Sequence, residues 1–285
     1  MPRKTDRWRQ HILPACSVFL LCAALSHATQ ASESRPEPLT SAQDQTTFEK
    51  RLDSISARLL GKAYLDSPLG EGQGIDPDPL IRFDAFDCTT YVETVLASAL
   101  ADSDNEIPEI LNKIRYSGGI PSFATRRHLP EFQWLADLHQ QQVLSDITAI
   151  LGGPHSRSLQ ASISPAIWAA RQWRIVHKLD AKNLPEKSIS LPYIPLKQFH
   201  AVAGHIRQVA LLSVVRQPRE DAPLLITHHA LLVPVDGQLR VRHASPQHAA
   251  VVEEAIEPFL RRLAKHRHWP VLGLNVMAIT GKLPE

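Results

Sequence analysis

The stretch Ile226-Thr227-His228-His229-Ala230-Leu231-Leu232-Val233-Pro234-Val235-Asp236-Gly237-Gln238-Leu239-Arg240-Val241-Arg242-His243-Ala244-Ser245 places two strand-like runs on either side of Asp236-Gly237. An Asp-Gly pair in that setting signals a two-residue hairpin, because both central positions of the turn need positive φ. The turn fixes a register in which Val235 faces Gln238, Leu232 opposes Val241, Ala230 opposes His243 and His228 opposes Ser245. Period two then puts Ile226, His228, Ala230, Leu232, Leu239, Val241, His243 and Ser245 on one, more apolar side. The other side, with Thr227, His229, Gln238, Arg240 and Arg242, is expected to meet solvent. His228 and His243 become diagonal cross-strand neighbours, roughly 7–8 Å apart at the backbone. Pro234 is the residue that threatens this register, since it cannot donate to a ladder.

Outward from the hairpin, strands are expected at Val209 to Val215, Leu224 to Val235, Gln238 to Ala244 and Leu272 to Ile279. The preceding half reads as helical. Phe48, Leu52, Ile55 and Leu59 recur at helical spacing behind the capping-box pattern Thr46-Thr47-Phe48-Glu49, and Ile107, Ile110, Leu111 and Ile114 repeat the pattern. Trp134 to Val143 and Ile167 to Leu179 follow it less clearly. Between Lys62 and Asp84 lies a Gly-, Pro- and Asp-rich loop of a length often tied to function. Helices followed by strands argue for an α+β fold.

The chain has 285 residues, and its first 31 read as a secretory signal: Arg3, Lys4, Arg7 and Arg9 precede an apolar run from Ile12 to Leu25 that ends in small residues. Residues 32–45 form a polar entry segment, and 46–285 are expected to make one domain. Loss of the signal removes Cys16 and Cys22, leaving Cys88 as the lone thiol and excluding an internal disulfide. A chain of about 250 residues buries a sufficient core without one. The balance of 31 basic against 29 acidic residues offers no footprint for nucleic acid. The mature chain is expected in the periplasm or secreted, without stable membrane insertion.

Asp87 is a good N-cap for a helix carrying Tyr91, Val92, Val95, Leu96 and Leu100, which places Cys88 in the first helical turn. There the helix dipole, and any nearby imidazolium, is expected to lower the thiol's pKa. Cys88, His228 and His243 then fit a nucleophile, a base and an orienting group. The same residues also fit an inert buried cysteine with incidental histidines, or a zinc site.

Phe86-Asp87-Cys88-Thr89-Thr90-Tyr91-Val92-Glu93 resembles the signature of the bacterial N-acetylmuramoyl-L-alanine amidase-like family, a branch of the NlpC-type papain-like superfamily. Further segments match in order: Ser67-Pro68-Leu69-Gly70-Glu71-Gly72, Ile114-Arg115-Tyr116-Ser117-Gly118-Gly119, Arg126-Arg127-His128, Pro192-Tyr193-Ile194-Pro195, Ile226-Thr227-His228, Arg242-His243-Ala244-Ser245 and Gly273-Leu274-Asn275-Val276. The resemblance implies a cysteine-bearing helix packed on an antiparallel sheet that bears the histidines, with helical additions. It makes Cys88 the nucleophile, His228 the base and His243 the residue that orients it, with no cofactor. It also makes peptidoglycan fragments or muropeptides the substrate, and the bond joining muramic acid to L-Ala the target.

Under that reading Arg126, His128 and Tyr193 are candidate substrate contacts, because stem peptides carry carboxylates that a guanidinium binds. An ion pair, a capped helix end and a packed loop aromatic are their alternative roles. Glu93 is expected to brace its helix, and His266-Arg267-His268-Trp269 to form a solvated turn. The sequence departs from the family pattern at Arg127, Leu129, Gln133 and Ala230, where an asparagine, an aromatic, an acid and a glycine are expected. An endopeptidase acting within the stem uses the same apparatus. A zinc hydrolase and a non-catalytic wall-binding protein are the alternatives from other classes.

Overall fold

The computed structural model describes residues 48–171, 185–220, 222 and 224–285. The expected signal segment, the entry segment, the first half of the capping box and most of Ile167 to Leu179 lie outside the described residues.

In chain order, α1 (Phe48–Arg58) leads to two short strands, β1 (Ala63–Tyr64) and β2 (Ala85–Phe86). The helices α2 (Cys88–Leu100), α3 (Ile107–Arg115) and α4 (Leu135–Gln140) follow, the last entered through a wide turn at Pro130–Trp134. Then come β3 (Leu144–Asp146), α5 (Thr148–Gly152), β4 (Arg157–Ile163), α6 (Pro165–Arg171), β5 (Lys187–Pro195) and α7 (Leu196–Ala203). The chain closes with β6 (Ala210–Arg216), β7 (Ile226–Val235), β8 (Gln238–Ser245), β9 (Ala250–Ala255), α8 (Ile256–Leu263) and β10 (Val271–Ile279).

The strands make one sheet in the order β2-β1-β9-β8-β7-β6-β10-β5-β4, with β3 joining the end of β10. Pairing is antiparallel except between β1 and β2. The class is mixed α+β, as expected. The strands β4 and β5, which pair along their length, are an addition that the sequence pattern did not show.

The β7–β8 hairpin keeps the register expected of it, from Val235 opposite Gln238 to Leu232 opposite Val241. Asp236 and Gly237 both adopt positive φ, 49° and 75°. Pro234 does no harm, because β6 pairs with β7 only as far as Leu232, so no ladder needs the missing N–H.

The far end of β7 departs from simple alternation. Ser213 pairs with His229, but Val215 pairs with Ile226, so Thr227 and His228 together oppose Val214 alone. This is a β-bulge, which bends the strand and re-aims its side chains. Ile226 is thereby carried to the opposite face from the one expected, where it joins Leu225, Leu231 and Val233.

The expectation of a solvated face is also corrected. His229 is 1% exposed and Arg242 5%, because helices cover both faces of the sheet. One core packs α1, α2 and α3 against Leu211, Val215, Leu231, Val233, Ala244 and Met277. The other packs α7 and α8 against Leu212, Val214, Ala230, Leu232, Val241, Leu274 and Val276. Each fully buried Leu, Val or Met among them contributes about 1.5–3 kcal/mol. Thr90 through Leu100 of α2 are all buried, so the helix has no solvent face. That is the pattern of a helix enclosed on every side, and it fixes the position of its first residue.

Candidate active site

Cys88 is the first residue of α2, and the turn that presents it is tightly held. The Asp87 carboxylate accepts the Thr90 backbone N–H at 2.7 Å, and Thr90 Oγ1 accepts the Asp87 N–H at 3.0 Å. The two donors are thus satisfied reciprocally, with threonine in the place a glutamate usually takes. Tyr91, one turn on, packs edge to face with Phe86 at 6.1 Å and donates its hydroxyl to the Ser56 carbonyl.

The thiol does not take the lowered pKa that its helix position suggests. Burial, and next the Asp87 charge, push it up to about 11, against hydrogen bonds from the His229 backbone N–H, the Thr89 hydroxyl and its own N–H. A dipole end is worth at most about 2 kcal/mol, and desolvation of the half-buried thiolate outweighs it. The Thr89 hydroxyl lies 3.9 Å from the sulfur. The bond from the His229 N–H sets the sulfur against the bulged segment of β7. Tyr64 feels the same charge: burial, then Cys88, Asp66 and Asp87, push its phenol up to about 12, so it stays a donor.

His228 and His243 meet as the hairpin implied. Nε2 of His228 and Nδ1 of His243 are 2.9 Å apart, with the rings edge to face at 4.9 Å. Phe259 of α8 packs against both, 6.3 Å from His228 and 5.5 Å from His243. Burial, and next the His243 charge, hold His228 well below the usual histidine range, so its imidazole is neutral. A further residue continues the line: Nε2 of His243 lies 2.9 Å from Glu254 Oε1. Arg262 grips that carboxylate with both terminal nitrogens, one at 2.8 Å. Although burial opposes it, bonds from Arg262 and His243 hold the Glu254 carboxyl down at about 2.

Glu254 escaped the sequence reading because β9, Ala250-Val251-Val252-Glu253-Glu254-Ala255, is short and acidic. The usable signal is register: Glu254 opposes Val241, two positions from His243 along β8 and on the same face.

His229, the neighbour expected in solvent, points to the other face. Its Nδ1 meets Ser213 Oγ at 3.0 Å and its ring lies 4.9 Å from Trp134. Burial lowers its pKa to about 3.

The candidate substrate contacts Arg126 and His128 each have partners of their own in this structure. Arg126 is engaged by Glu71, at 2.7 Å through Nε, and by Asp76 at 2.8 Å, which tie it to the Gly-rich loop. Nε2 of His128 lies 2.7 Å from the Phe123 carbonyl, and burial brings its pKa down to about 4. Tyr193 is half-buried on β5, three strands from β7, or roughly 14 Å across the sheet at the usual strand spacing. For Arg126 the ion-pair alternative therefore describes what the side chain does in this structure.

The departures from the family pattern have local uses. Nη1 of Arg127 donates to the carbonyls of Lys113, Ile114 and Tyr116, closing the C-terminus of α3, while Nε meets Asp137 at 2.9 Å. Leu129 is buried with Phe132, Ile163 and Trp168, and Gln133 accepts the Leu129 N–H. Ala230 is fully buried in the core beneath α7 and α8.

Glu131 lies at the entry to β7 and accepts the backbone N–H groups of Leu225 and Ile226. Burial pushes its carboxyl up to about 7 in spite of those bonds. A raised folded pKa contributes stability that is complete below the unfolded value and is lost as pH rises through the folded value. His128 and His229, whose pKa values fall on folding, act in the opposite sense, so the effect is read as a difference between variants. The stability of wild type relative to Glu131→Gln is expected to fall between about pH 4.5 and 7, by on the order of 3 kcal/mol. Urea midpoints at a series of pH values measure it, and a difference independent of pH rejects the assignment.

Among the described residues, no group of three or more His, Cys, Asp or Glu side chains is arranged to hold a metal ion, and no helix is long and apolar enough to cross a membrane.

The sheet thus carries two hydrogen-bonded imidazoles beside a cysteine-bearing helix start. The N-acetylmuramoyl-L-alanine amidase-like family model matches residues 54–267, and the chain belongs to that family. No curated protein matched. Among solved structures, a Legionella pneumophila protein is 26% identical with a TM-score of 0.74, covering 84% of this chain and 90% of its own. An N-acetylmuramoyl-L-alanine amidase from Bacteroides uniformis is 21% identical with a TM-score of 0.63, covering 82% of this chain and 99% of its own. A Bacteroides fragilis protein named as a proposed xylanase is 22% identical with a TM-score of 0.60, covering 79% of this chain and 99% of its own. Two activity names on one fold mean that the substrate has to be argued from the site.

Proposed function

We propose that this chain is a cysteine-dependent amidase with a papain-like, NlpC-type centre. In this reading it hydrolyses the bond between the lactyl group of muramic acid and L-Ala in peptidoglycan or muropeptides, outside the cytoplasm. The observation that carries the reading is the line Glu254, His243, His228, which ends on a neutral imidazole in the strand segment that faces the Cys88 thiol.

With both partners neutral at rest, attack and proton transfer are coupled. The Cys88 sulfur bonds to the amide carbonyl carbon as its proton passes to His228, and the Cys88 N–H at the helix start donates to the developing oxyanion. His228 then gives the proton to the departing amine and the C–N bond breaks, leaving a thioester. A water molecule adds to that carbonyl while His228 takes one of its protons. The C–S bond breaks, and the proton returns to the sulfur.

The arrangement speaks against the zinc alternative. Among the described residues, Cys88, His228 and His243 do not form a group arranged to hold a metal ion.

Mass spectrometry of digested muropeptides tests the bond. Release of an intact stem peptide from the sugar is expected. A shortened stem left on the sugar rejects the amidase and makes the protein an endopeptidase with the same centre.

A further inference from the structure

A carboxylate can only accept hydrogen bonds, and this fact orders the protons of the whole line. Glu254 is ionised, so Nε2 of His243 must be the donor in their 2.9 Å contact. In the neutral form of His243 the single N–H is the one on Nε2, and Nδ1 carries a lone pair. That lone pair faces Nε2 of His228 at 2.9 Å, so Nε2 of His228 must donate. The neutral His228 has then spent its one N–H, and Nδ1 is left as an open base. The opposite ordering would put a proton on Nδ1 and block the proton transfer from sulfur.

Glu254 itself is not free to turn. Arg262 binds both of its oxygens, and the guanidinium stacks 5.4 Å from the ring of Phe259, the same ring that packs against both imidazoles. One helix, α8, thus supplies both the wall behind the imidazoles and the clamp on the carboxylate.

We propose that Glu254, held by Arg262, is a positioning residue that fixes the tautomers of His243 and His228 so that His228 keeps an unprotonated Nδ1 for the thiol. The proposal rests on the cysteine-amidase reading for its catalytic meaning, but the proton arrangement can be measured without any turnover.

Nitrogen-15 NMR of the imidazole side chains in the mature chain is expected to show Nε2–H on both His228 and His243. An Nδ1–H on His228 in the wild-type spectrum overturns the proposal, whatever the variants do. Glu254→Ala is expected to mix the two tautomeric arrangements and lower kcat about tenfold with KM unchanged, because the orienting acceptor and its negative charge are both lost. Arg262→Leu, which leaves the carboxylate in place, is expected to keep the wild-type nitrogen pattern and lose less kcat. A purely structural role predicts lower thermal stability with the nitrogen pattern unchanged in Glu254→Ala, and that result also overturns it. If the wild-type chain cleaves no muropeptide while its nitrogen pattern is as described, the amidase reading fails and the proton-ordering role of Glu254 stands.

Discussion

Cys88→Ala leaves the chain folded and lowers stem-peptide release by at least about 10³-fold, a loss of roughly 4 kcal/mol of transition-state stabilisation. The fold survives because the start of α2 is held by Asp87 and Thr90 rather than by the sulfur. The activity is lost because the variant lacks the sulfur on which the acyl intermediate forms. His228→Ala brings a loss of similar size, and the double variant is little worse than either single one, since nucleophile and base act as a unit. Alkylation by iodoacetamide separates a neutral resting pair from a thiolate–imidazolium pair. With the thiol raised towards 11 by burial and by Asp87, the rate climbs steadily above pH 7. A plateau of fast alkylation below pH 6 would show the ion pair instead. Retention of more than a tenth of wild-type activity by Cys88→Ala would sink the proposed function.

Arg115→Met costs about 3–5 kcal/mol of stability at alkaline pH, where Glu93 is ionised beside Arg115 in the wild type, because its carboxyl is left buried without its counter-charge. The two side chains are 5% and 6% exposed and meet at 3.4 Å between α2 and α3. Arg115 also donates to the Leu69 carbonyl, tying the Gly-rich loop to this pair. Burial already pushes the Glu93 carboxyl up to about 7 even with Arg115 present. Removing the guanidinium raises it further, so the deficit is smallest at pH 5, where the acid is protonated in the folded chain, and grows as pH rises. Denaturant unfolding of Arg115→Met beside Arg115→Met with Glu93→Leu is the measurement. The double variant is expected to recover most of the loss. Equal instability of the two means that the cost lies in packing and not in the stranded charge.

Much of this architecture was legible in residue types and spacing. The start of α2 could be read because an aspartate N-cap stands directly before an apolar run. The hairpin could be read because Asp236-Gly237 specifies its turn, and with it the meeting of His228 and His243. Burial of the second face could not be read. Arg242 looks like a solvent residue in sequence, yet it lies beneath α1, where Asp53, Ser56 and Glu253 satisfy its guanidinium. Those partners are 11 to 189 residues away along the chain, and no local pattern signals them. Glu254 was missed for the same reason, since its importance comes from a register across two strands. The thiol was misjudged because the helix dipole is a local property, whereas desolvation depends on everything packed around the site.

The bulge at Thr227 and His228 gives β7 two independent alignments. From His229 onward the strand is in step with β6 and, through the Asp236-Gly237 turn, with β8; before it, the strand runs one residue out of step. His228 stands within the bulge, so its meeting with His243 depends both on the turn some eight residues away and on the bulge that re-aims it, while the His229 N–H that reaches Cys88 belongs to the part in step with β6. The turn and the bulge thus act on one imidazole from two points of a single strand, and an insertion or deletion at either one would pull His228 away from His243.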